Sequence, residues 1–259
     1  MIQGLEERLK NSAVIKLRGS AISRGISETG LALVLAKNTG KTLLVFHGGK
    51  EQASSALEKA GFETKFVDGY RFTTPEMMPF VERAYRDLNS RLVQTIKGYG
   101  KKCFGMKGSE LIAAESMGEK YGGSVGVPTG VNQECLELLE KEGRMIIISC
   151  IGSGKGELFN INADIAAGFV AATLRSPNYL VIIKEAGILR DPSKQDSVIP
   201  KMTLAELNSM ELEGGMLPKR ASIDYFLNNG GSMARVLNIY GLASALCGQE
   251  RGTKIVRQG

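Results

Sequence analysis

Two lysines that are far apart in the sequence each stand where a phosphate could reach them. Lys16 follows three apolar residues, and Gly19 and Ser20 come soon after it. Lys219 follows Pro218, a residue that fits the first turn of a helix. A lysine in that turn opposes the helix macrodipole, which indicates a role other than helix stability. A buried strand that ends on a cation beside a glycine loop is a common way to present positive charge to an anion.

Gly48 and Gly49 form a second glycine loop, directly after the apolar run 42–46. Backbone N–H groups in such a loop, backed by a helix N-terminus, bind anions. Glycine suits this position because a β-carbon would hold the anion away and because the turn can need a positive φ. About half of such turns are purely structural, so this loop alone is weak evidence for an anion-binding site. The glycines of segment 152–156 resemble a P-loop only in composition.

A polar segment, 160–164, reads Asn-Ile-Asn-Ala-Asp. Asn160 and Asn162 alternate with apolar residues, and Asp164 opens a predicted helix. One interpretation is a helix N-cap, for which Asn and Asp are both suited. The other is a polar site. Two distant lysines, two glycine loops after strands and a carboxylate are together the set that phosphoryl transfer needs.

The hydrophobic pattern predicts strands, glycine loops and helices in alternation over residues 13–61, which indicates a parallel sheet covered by helices. We expect a polar loop over 68–74, a helix over 75–97 and irregular hairpins over 112–130. A buried strand is expected over 144–151, and the glycine-rich segment 152–156 is expected to be a loop. The Thr203 and Glu206 pair predicts a capping box for a helix over 203–208. A second alternation begins after Ser176.

Composition narrows the class of protein. The chain has 259 residues with a formal net charge of +6, but its basic residues form no dense run, and this argues against nucleic acid as a partner. The four cysteines form no CxxC motif, and the chain has a single histidine, His47. These residues do not have the spacing of a zinc site, so no metal site is predicted. We expect no signal peptide and no transmembrane helix, and therefore a cytoplasmic protein with reduced cysteines that does not bind membranes.

At these residues the sequence resembles the amino-acid kinase family over nearly its whole length. Residues 15–20 resemble the family segment K-L-G-G-S, and residues 47–50 resemble H-G-G-G. Residues 69–73 resemble the acceptor loop G-x-R-x-T, and residues 160–164 resemble N-x-N-A-D. Residues 215–219 resemble G-M-I-x-K. Five motifs in the family's order are a strong signal for the family and a weaker one for the exact substrate.

The resemblance implies an α/β fold, a three-layer αβα sandwich with an open, mainly parallel central sheet. It implies an N-terminal lobe, 1–175, for substrate binding and dimerisation, and a C-terminal lobe, 176–259, for ATP. The implied reaction is the phosphorylation of the side-chain carboxylate of a small acidic amino acid, N-acetyl-L-glutamate, with ATP and Mg²⁺. The implied assembly is a homodimer that pairs through the helix predicted over 75–97.

The resemblance also assigns roles to residues. Lys16 and Lys219 would stabilise the transferring phosphoryl group, and Asp164 would hold both lysines in place. Four residues would bind the acceptor: Gly48, Gly49, Arg71 and Asn160. Nine would bind the nucleotide: Gly19, Lys184, Glu185, Gly187, Ile188, Leu189, Glu211, Leu212 and Glu213.

Three positions depart from the family pattern: Arg18 and Lys50 replace glycines, and Lys184 replaces an aspartate. The two replacements of glycine add bulk and positive charge where the family approaches phosphate or substrate. The substrate therefore stays open: an N-succinyl amino acid or a carrier-linked aminoadipate are alternatives to N-acetyl-L-glutamate. A catalytically weak fold that binds an effector and regulates a partner is a third alternative. Because Lys16, Asp164 and Lys219 all remain, we expect an active kinase.

Overall fold

The computed structural model describes residues 12–135 and 145–258. The strands are β1 Ser12–Leu17, β2 Thr42–His47, β3 Phe66–Val67, β4 Tyr70–Arg71, β5 Phe104–Lys107, β6 Ile112–Ser116, β7 Val125–Val131, β8 Met145–Ser149, β9 Ile151–Gly154, β10 Glu157–Ile161, β11 Tyr179–Ile183, β12 Lys201–Thr203, β13 Met233–Asn238 and β14 Thr253–Val256. The α-helices are α1 Gly19–Arg24, α2 Ile26–Lys37, α3 Lys50–Lys59, α4 Met78–Gly98, α5 Gly108–Leu111, α6 Ala163–Thr173, α7 Leu204–Ser209, α8 Met216–Asn228 and α9 Leu242–Leu246.

Eight strands form one continuous sheet in the order β12-β14-β13-β11-β1-β2-β8-β5. The six strands from β13 to β5 are parallel, and β14 runs antiparallel to β13. β1 lies in the interior of the sheet, with Lys16 in register with Phe46 on one side and Val181 on the other. Every residue of β1 is buried, as is typical of a parallel strand covered on both faces.

Helices cover both faces of this sheet, so the predicted three-layer αβα sandwich with a mainly parallel sheet is confirmed. Successive strand residues point to opposite faces: Val14 joins the hydrophobic core beneath α6 and α8, whereas Ile15 joins the core beneath α2, α4 and α9. Lys16 follows Ile15 and therefore points to the α6 and α8 face. The alternation of β1 thus delivers a lysine to the layer that contains Asp164 and Lys219.

A closed four-stranded barrel, in the order β10-β7-β6-β9, stands beside the large sheet. The predictions for this region were partly wrong. The strand expected over 144–151 is broken after Ser149, and the chain then enters the barrel as β9. The loop expected over 152–156 is mostly a hairpin of β9 and β10, with a turn at Lys155 and Gly156, both at positive φ. Glycine lets the barrel close, because a β-carbon on Gly154 would lie 2.0 Å from the Ala114 carbonyl oxygen.

A short hairpin of β3 and β4 replaces part of the polar loop expected over 68–74. Its turn residues, Asp68 and Gly69, have φ values of 50° and 83°, the backbone that a two-residue Asp-Gly hairpin favours. Lys120 and Tyr121 hold the turn through contacts of 2.6 and 2.9 Å with the Asp68 carboxylate. The hairpin fixes the position of Arg71 at the end of β4.

The helix predictions were closer to the structure. The helix expected from residue 75 begins at Met78 and ends at Gly98, and the short helix α1 was not anticipated. The Thr203 and Glu206 capping box is confirmed. In the described ranges, no helix is long and apolar enough to cross a membrane.

The crossing of α6 and α8 brings Asp164 and Lys219 close to one another. A β-carbon on Gly168 of α6 would lie 2.7 Å from the Ser222 carbonyl oxygen and 2.9 Å from the Ser222 Cβ of α8. Only glycine allows the helices to approach this closely. The same two helices carry Asp164 and Lys219, so their spacing sets the distance between the carboxylate and the ammonium group.

We predict that Gly168→Ala destabilises the protein by about 1–3 kcal/mol, because the added methyl group overpacks a closed helix crossing. The matched control is Gly98→Ala at the end of α4, where a β-carbon would meet no atom within 4 Å and should be tolerated. Urea unfolding midpoints measure both changes. Equal effects of the two substitutions would contradict this account of the crossing.

Candidate functional site

The candidate site is a cavity of about 210 Å³ at the carboxyl ends of β1 and β2, the edge at which open parallel sheets bind ligands. The N-terminal ends of α3, α6 and α8 also contribute residues to its wall. Eight of the predicted site residues line it together: Lys16, Gly19, Gly48, Gly49, Arg71, Asn160, Asp164 and Lys219. They come from both sides of the lobe boundary that the sequence predicts near residue 175.

Two lysines converge on one carboxylate oxygen. Asp164 Oδ2 lies 2.8 Å from Lys16 Nζ and 3.7 Å from Lys219 Nζ. All three side chains are largely buried, at 7% exposure for Lys16 and Asp164 and 13% for Lys219. Two positive charges therefore share one negative charge in a region that water screens poorly, and the group keeps an excess of positive charge.

Burial, together with the nearby positive charges of Lys16 and Arg18, lowers the pKa of Lys219 from 10.5 to about 8. Asp164 acts in the opposite sense but does not cancel these effects. The ammonium group also donates to the Gly215 carbonyl oxygen at 2.7 Å. Lys219 is therefore held in a defined position, but the neighbouring negative charge does not fully neutralise its ammonium group.

Asp164 is placed by the turn from β10 into α6. The side chain of Asn162 caps the helix and accepts a hydrogen bond from the Asp164 backbone N–H at 2.9 Å, which is the N-cap alternative that the sequence left open. The cap and the polar site coexist, because Asn162 serves the helix while the Asp164 side chain faces the lysines. The other carboxylate oxygen, Oδ1, is buried without a hydrogen-bond partner.

Arg71 forms the opposite end of the cavity. Its Nη2 donates to the Lys50 carbonyl oxygen at 2.6 Å and to Ser54 Oγ at 3.0 Å, whereas its Nη1 is buried without a partner. Burial lowers the pKa of Arg71, and Tyr85 and Glu58 act against that shift, but an arginine stays charged at any physiological pH. A buried donor that lacks an acceptor is costly, so Nη1 is suited to bind an anionic ligand.

Asn160 lies in a hydrogen-bonded chain between the two ends. Tyr85 donates to Asn160 Oδ1 at 3.2 Å, Asn160 Nδ2 donates to Thr73 Oγ1 at 3.1 Å, and Thr73 donates to the Arg71 carbonyl oxygen at 2.9 Å. Burial raises the pKa of Tyr85 to about 12, so its hydroxyl stays protonated and donates. The chain ties β10 to the segment that carries Arg71.

The glycines of the two loops have different reasons to be there. A β-carbon on Gly49 would lie 2.9 Å from the Tyr85 ring, so packing requires glycine there. A β-carbon on Gly19 would meet only the Lys50 nitrogen, at 3.7 Å, so the protein itself does not require glycine at that position. The space beside Gly19 is available to a ligand.

His47 precedes the second loop and is structural. Its Nδ1 lies 3.1 Å from the Gly48 carbonyl oxygen, and its Nε2 lies 3.1 Å from Asn89 Nδ2. Burial lowers the pKa of His47 to about 4, so the ring is neutral at pH 7. It donates through Nδ1 and accepts through Nε2, and thereby fixes the strand end that presents Gly48 and Gly49.

The other predicted nucleotide residues lie away from this cavity: Lys184, Glu185, Gly187, Ile188, Leu189, Glu211, Leu212 and Glu213. Ile188 is buried in the core, and Gly187 packs closely on Val198 and Thr253. Lys184 and Arg18 line a neighbouring cavity of about 370 Å³. Their roles stay predictions.

Sequence reasoning missed several residues of the cavity wall, among them Tyr85 and Phe66. Tyr85 belongs to the regularly spaced buried face of α4, and this periodicity alone predicts a core residue rather than a site residue. Phe66 comes into the wall through the β3–β4 hairpin. Its position depends on the turn at Asp68 and Gly69.

The arrangement can bind an anion at each end. The inner end offers two ammonium groups, and the outer end offers the unpaired Arg71 Nη1. Such a site can hold a transferring phosphoryl group against the carboxylate of a small acidic acceptor. Among the described residues, no group of three or more His, Cys, Asp and Glu side chains could hold a metal ion.

The sequence of this chain matches known proteins over most of its length. The sequence profile of the amino acid kinase family matches residues 11–238. Acetylglutamate kinase from Clostridioides difficile (strain 630) is 32% identical over 244 residues, which cover 90% of this chain and 85% of that enzyme. Acetylglutamate kinase from Halalkalibacterium halodurans is 31% identical over 253 residues, which cover 95% and 96%.

Solved structures show the same fold. The crystal structure of smu.665 from Streptococcus mutans UA159 gives a TM-score of 0.81 at 24% identity and covers 96% of this chain and 100% of that one. Carbamate kinase from Giardia lamblia bound to AMP-PNP gives a TM-score of 0.72 at 13% identity and covers 97% and 100%. Identities this low support the fold alone.

The low pKa of Lys219 predicts how stability changes with pH. Below pH 8 the lysine is charged in both the folded and the unfolded chain, and the full cost of burying it is present. Between pH 8 and 10.5 the unfolded chain binds a proton that the folded chain lacks, so stability rises. Relative to Lys219→Met, the native chain should gain on the order of 2 kcal/mol from pH 7 to pH 10.5.

Urea unfolding at pH 7 and at pH 10.5 measures this difference. The control is Lys59→Met, which removes an exposed lysine at the end of α3 and should follow the native pH dependence. If Lys219→Met and the native chain change in parallel, then the folded-state pKa of Lys219 is not lowered.

Proposed function

The chain belongs to the amino acid kinase family, and we propose that it transfers the γ-phosphoryl group of ATP to the side-chain carboxylate of N-acetyl-L-glutamate. The products are ADP and an acyl phosphate. One observation carries this proposal: two buried lysines share the carboxylate of Asp164 at one end of a cavity whose other end holds a buried arginine nitrogen without a partner.

The acceptor needs no general base. A carboxylate is already ionised at neutral pH, so its oxygen attacks the γ-phosphorus directly while the bond from that phosphorus to the ADP oxygen breaks. The work of the protein is to position the two reactants and to neutralise negative charge.

Lys16 and Lys219 stabilise the negative charge on the transferring group and on the oxygen that leaves with ADP. Asp164 orients the two ammonium groups through its Oδ2 and does not itself exchange a proton with the acceptor. The Gly19 N–H lies where a phosphate oxygen can approach, since no protein atom occupies the space that its missing side chain leaves.

The outer end of the cavity binds the acceptor. Arg71 Nη1 binds the α-carboxylate, and the planar guanidinium suits that group. Asn160 binds polar atoms of the same molecule, and the N–H groups of Gly48 and Gly49 hold the reacting carboxylate. The cavity volume of about 210 Å³ suits a small metabolite.

The nucleotide site extends from this cavity into the part of the chain after residue 175. The segments 184–189 and 211–213 are proposed to contact the nucleotide, as the family relation implies. Mg²⁺ is proposed to be held by the phosphate oxygens of ATP and by water, where it would supply further positive charge.

We further propose that the protein is a homodimer and is located in the cytoplasm. We place the dimer contact on α4, where Phe80 is 37% exposed. All four cysteines are free thiols, which supports a reducing compartment such as the cytoplasm. Size-exclusion chromatography with light scattering tests the dimer.

We expect the purified chain to form acyl phosphate from ATP, Mg²⁺ and N-acetyl-L-glutamate, which hydroxylamine traps as a hydroxamate. Lys16→Ala and Lys219→Ala should each lower kcat by about 100-fold or more with little change in KM, since both lysines act mainly in the transition state. The control is Lys59→Ala, an exposed lysine outside the cavity. No hydroxamate from the native chain, or an unchanged kcat in both cavity variants, would overturn the mechanism.

We predict that Arg71→Lys raises the KM for the acceptor by about tenfold or more, because a single ammonium group cannot replace the planar fork. The KM for ATP and the kcat should change little. Arg86→Lys, an exposed arginine on α4 with one partner, Glu82, is the matched control. Steady-state kinetics with each substrate varied in turn separates the effects, and a fall in kcat at constant acceptor KM would contradict the assigned role.

A further inference from the structure

The acceptor end of the cavity contains a cation that the proposed reaction does not use. Lys50 is the first residue of α3 and lines the same cavity as Lys16, Arg71 and Lys219. Its backbone carbonyl accepts the hydrogen bond from Arg71 Nη2, so the two cations are tied to one another by position. The side chain of Lys50 is exposed, and it can therefore move towards a ligand.

Phe66 contacts both cations in the wall of the cavity. Lys50 Nζ lies 4.1 Å from the centroid of the Phe66 ring, and Arg71 Cζ lies 4.9 Å from the same centroid. Contacts of cations with an aromatic face are weakly attractive. They position Lys50 without neutralising it. Two positive charges thus contact one ring in the wall of the cavity.

The cavity wall carries four cations and one carboxylate. Of the residues that the structure describes, Lys16, Lys50, Arg71 and Lys219 line it, together with one acidic residue, Asp164. That carboxylate forms ion pairs with Lys16 and Lys219 at the inner end. Among the described residues, the wall offers no second carboxylate to Lys50 and Arg71, and Glu58, whose charge acts on Arg71, lies outside the wall. Like charges placed this close favour a ligand that brings negative charge to both of them.

N-acetyl-L-glutamate leaves Lys50 without an anionic partner. It has two carboxylates: the reacting one must lie at the inner end beside the lysines, and the other is bound by Arg71. Nothing in that molecule matches Lys50, because the acetyl group is neutral. A third negative charge would have to come from the acyl substituent.

We infer that Lys50 is a specificity residue that extends the acceptor range to N-acyl-L-glutamates whose acyl chain ends in a carboxylate. This inference rests on the proposed function, since it assigns the reacting and the α-carboxylate as above. The acyl carboxylate binds Lys50 Nζ at the edge of the Phe66 ring, while phosphoryl transfer at the inner end is unchanged.

Three acceptors test the inference, with the full chain, ATP and Mg²⁺. They are N-acetyl-L-glutamate, N-succinyl-L-glutamate and the terminal amide of the succinyl compound, which has the same shape but one charge less. We expect kcat/KM for the succinyl compound to exceed that for its amide by about tenfold, the size of one charge-assisted contact. In Lys50→Gln this ratio should fall to near one, and in Lys50→Arg it should persist. Lys59→Gln, in the same helix but outside the cavity, should keep the native ratio.

Two kinetic outcomes would overturn the inference: equal kcat/KM for the succinyl compound and its amide in the native chain, or a ratio that survives in Lys50→Gln. Because the readout is a ratio within each variant, a general loss of activity or of folded protein does not imitate the expected result.

Calorimetric titration of the three acceptors without ATP separates this inference from the proposed function. Turnover of none of them, together with tighter binding of the succinyl compound than of its amide, would overturn the kinase proposal and keep the assignment of Lys50. Equal affinities for the two compounds would overturn the assignment of Lys50, whatever the activity.

Discussion

One shared carboxylate is the constraint on which the site depends. Asp164 Oδ2 contacts the ammonium groups of both Lys16 and Lys219, and these are buried groups with little access to water. Removal of Asp164 would leave two buried positive charges without compensation, which destabilises a protein strongly. The three residues therefore form a unit, and the folded chain holds more positive charge here than it can neutralise by itself.

The rest of the fold can be understood as the means of bringing that unit together. Lys16 comes from an interior strand of the sheet, Asp164 from the helix that follows the barrel, and Lys219 from α8. The close crossing at Gly168 and Ser222 sets the spacing of α6 and α8. The barrel strand β10 carries Asn160 and leads through the Asn162 cap to Asp164, so closure of the barrel also fixes the carboxylate.

Much of this could be predicted from local sequence. Lys16, Gly48 and Gly49 follow apolar runs, and the alternation of strands and helices over residues 13–61 indicates the parallel sheet on whose edge they meet. The barrel could not be predicted in this way. Gly152 and Gly154 lie in strands because β-carbons there would clash with neighbouring strands, whereas isolated glycines in sequence indicate turns. Tyr85 was missed for a related reason, since a buried tyrosine on a regular helix face looks like any core residue.

The excess positive charge also connects binding with protonation. Burial and neighbouring cations lower the pKa of Lys219 to about 8, and a phosphoryl oxygen beside its ammonium group would favour the charged form and raise that pKa. Occupation of the site by an anion and full protonation of Lys219 then support one another. The excess of positive charge makes the site without a ligand costly to fold. The same excess would favour a bound phosphoryl group, because that group supplies the negative charge that the residues of the site lack.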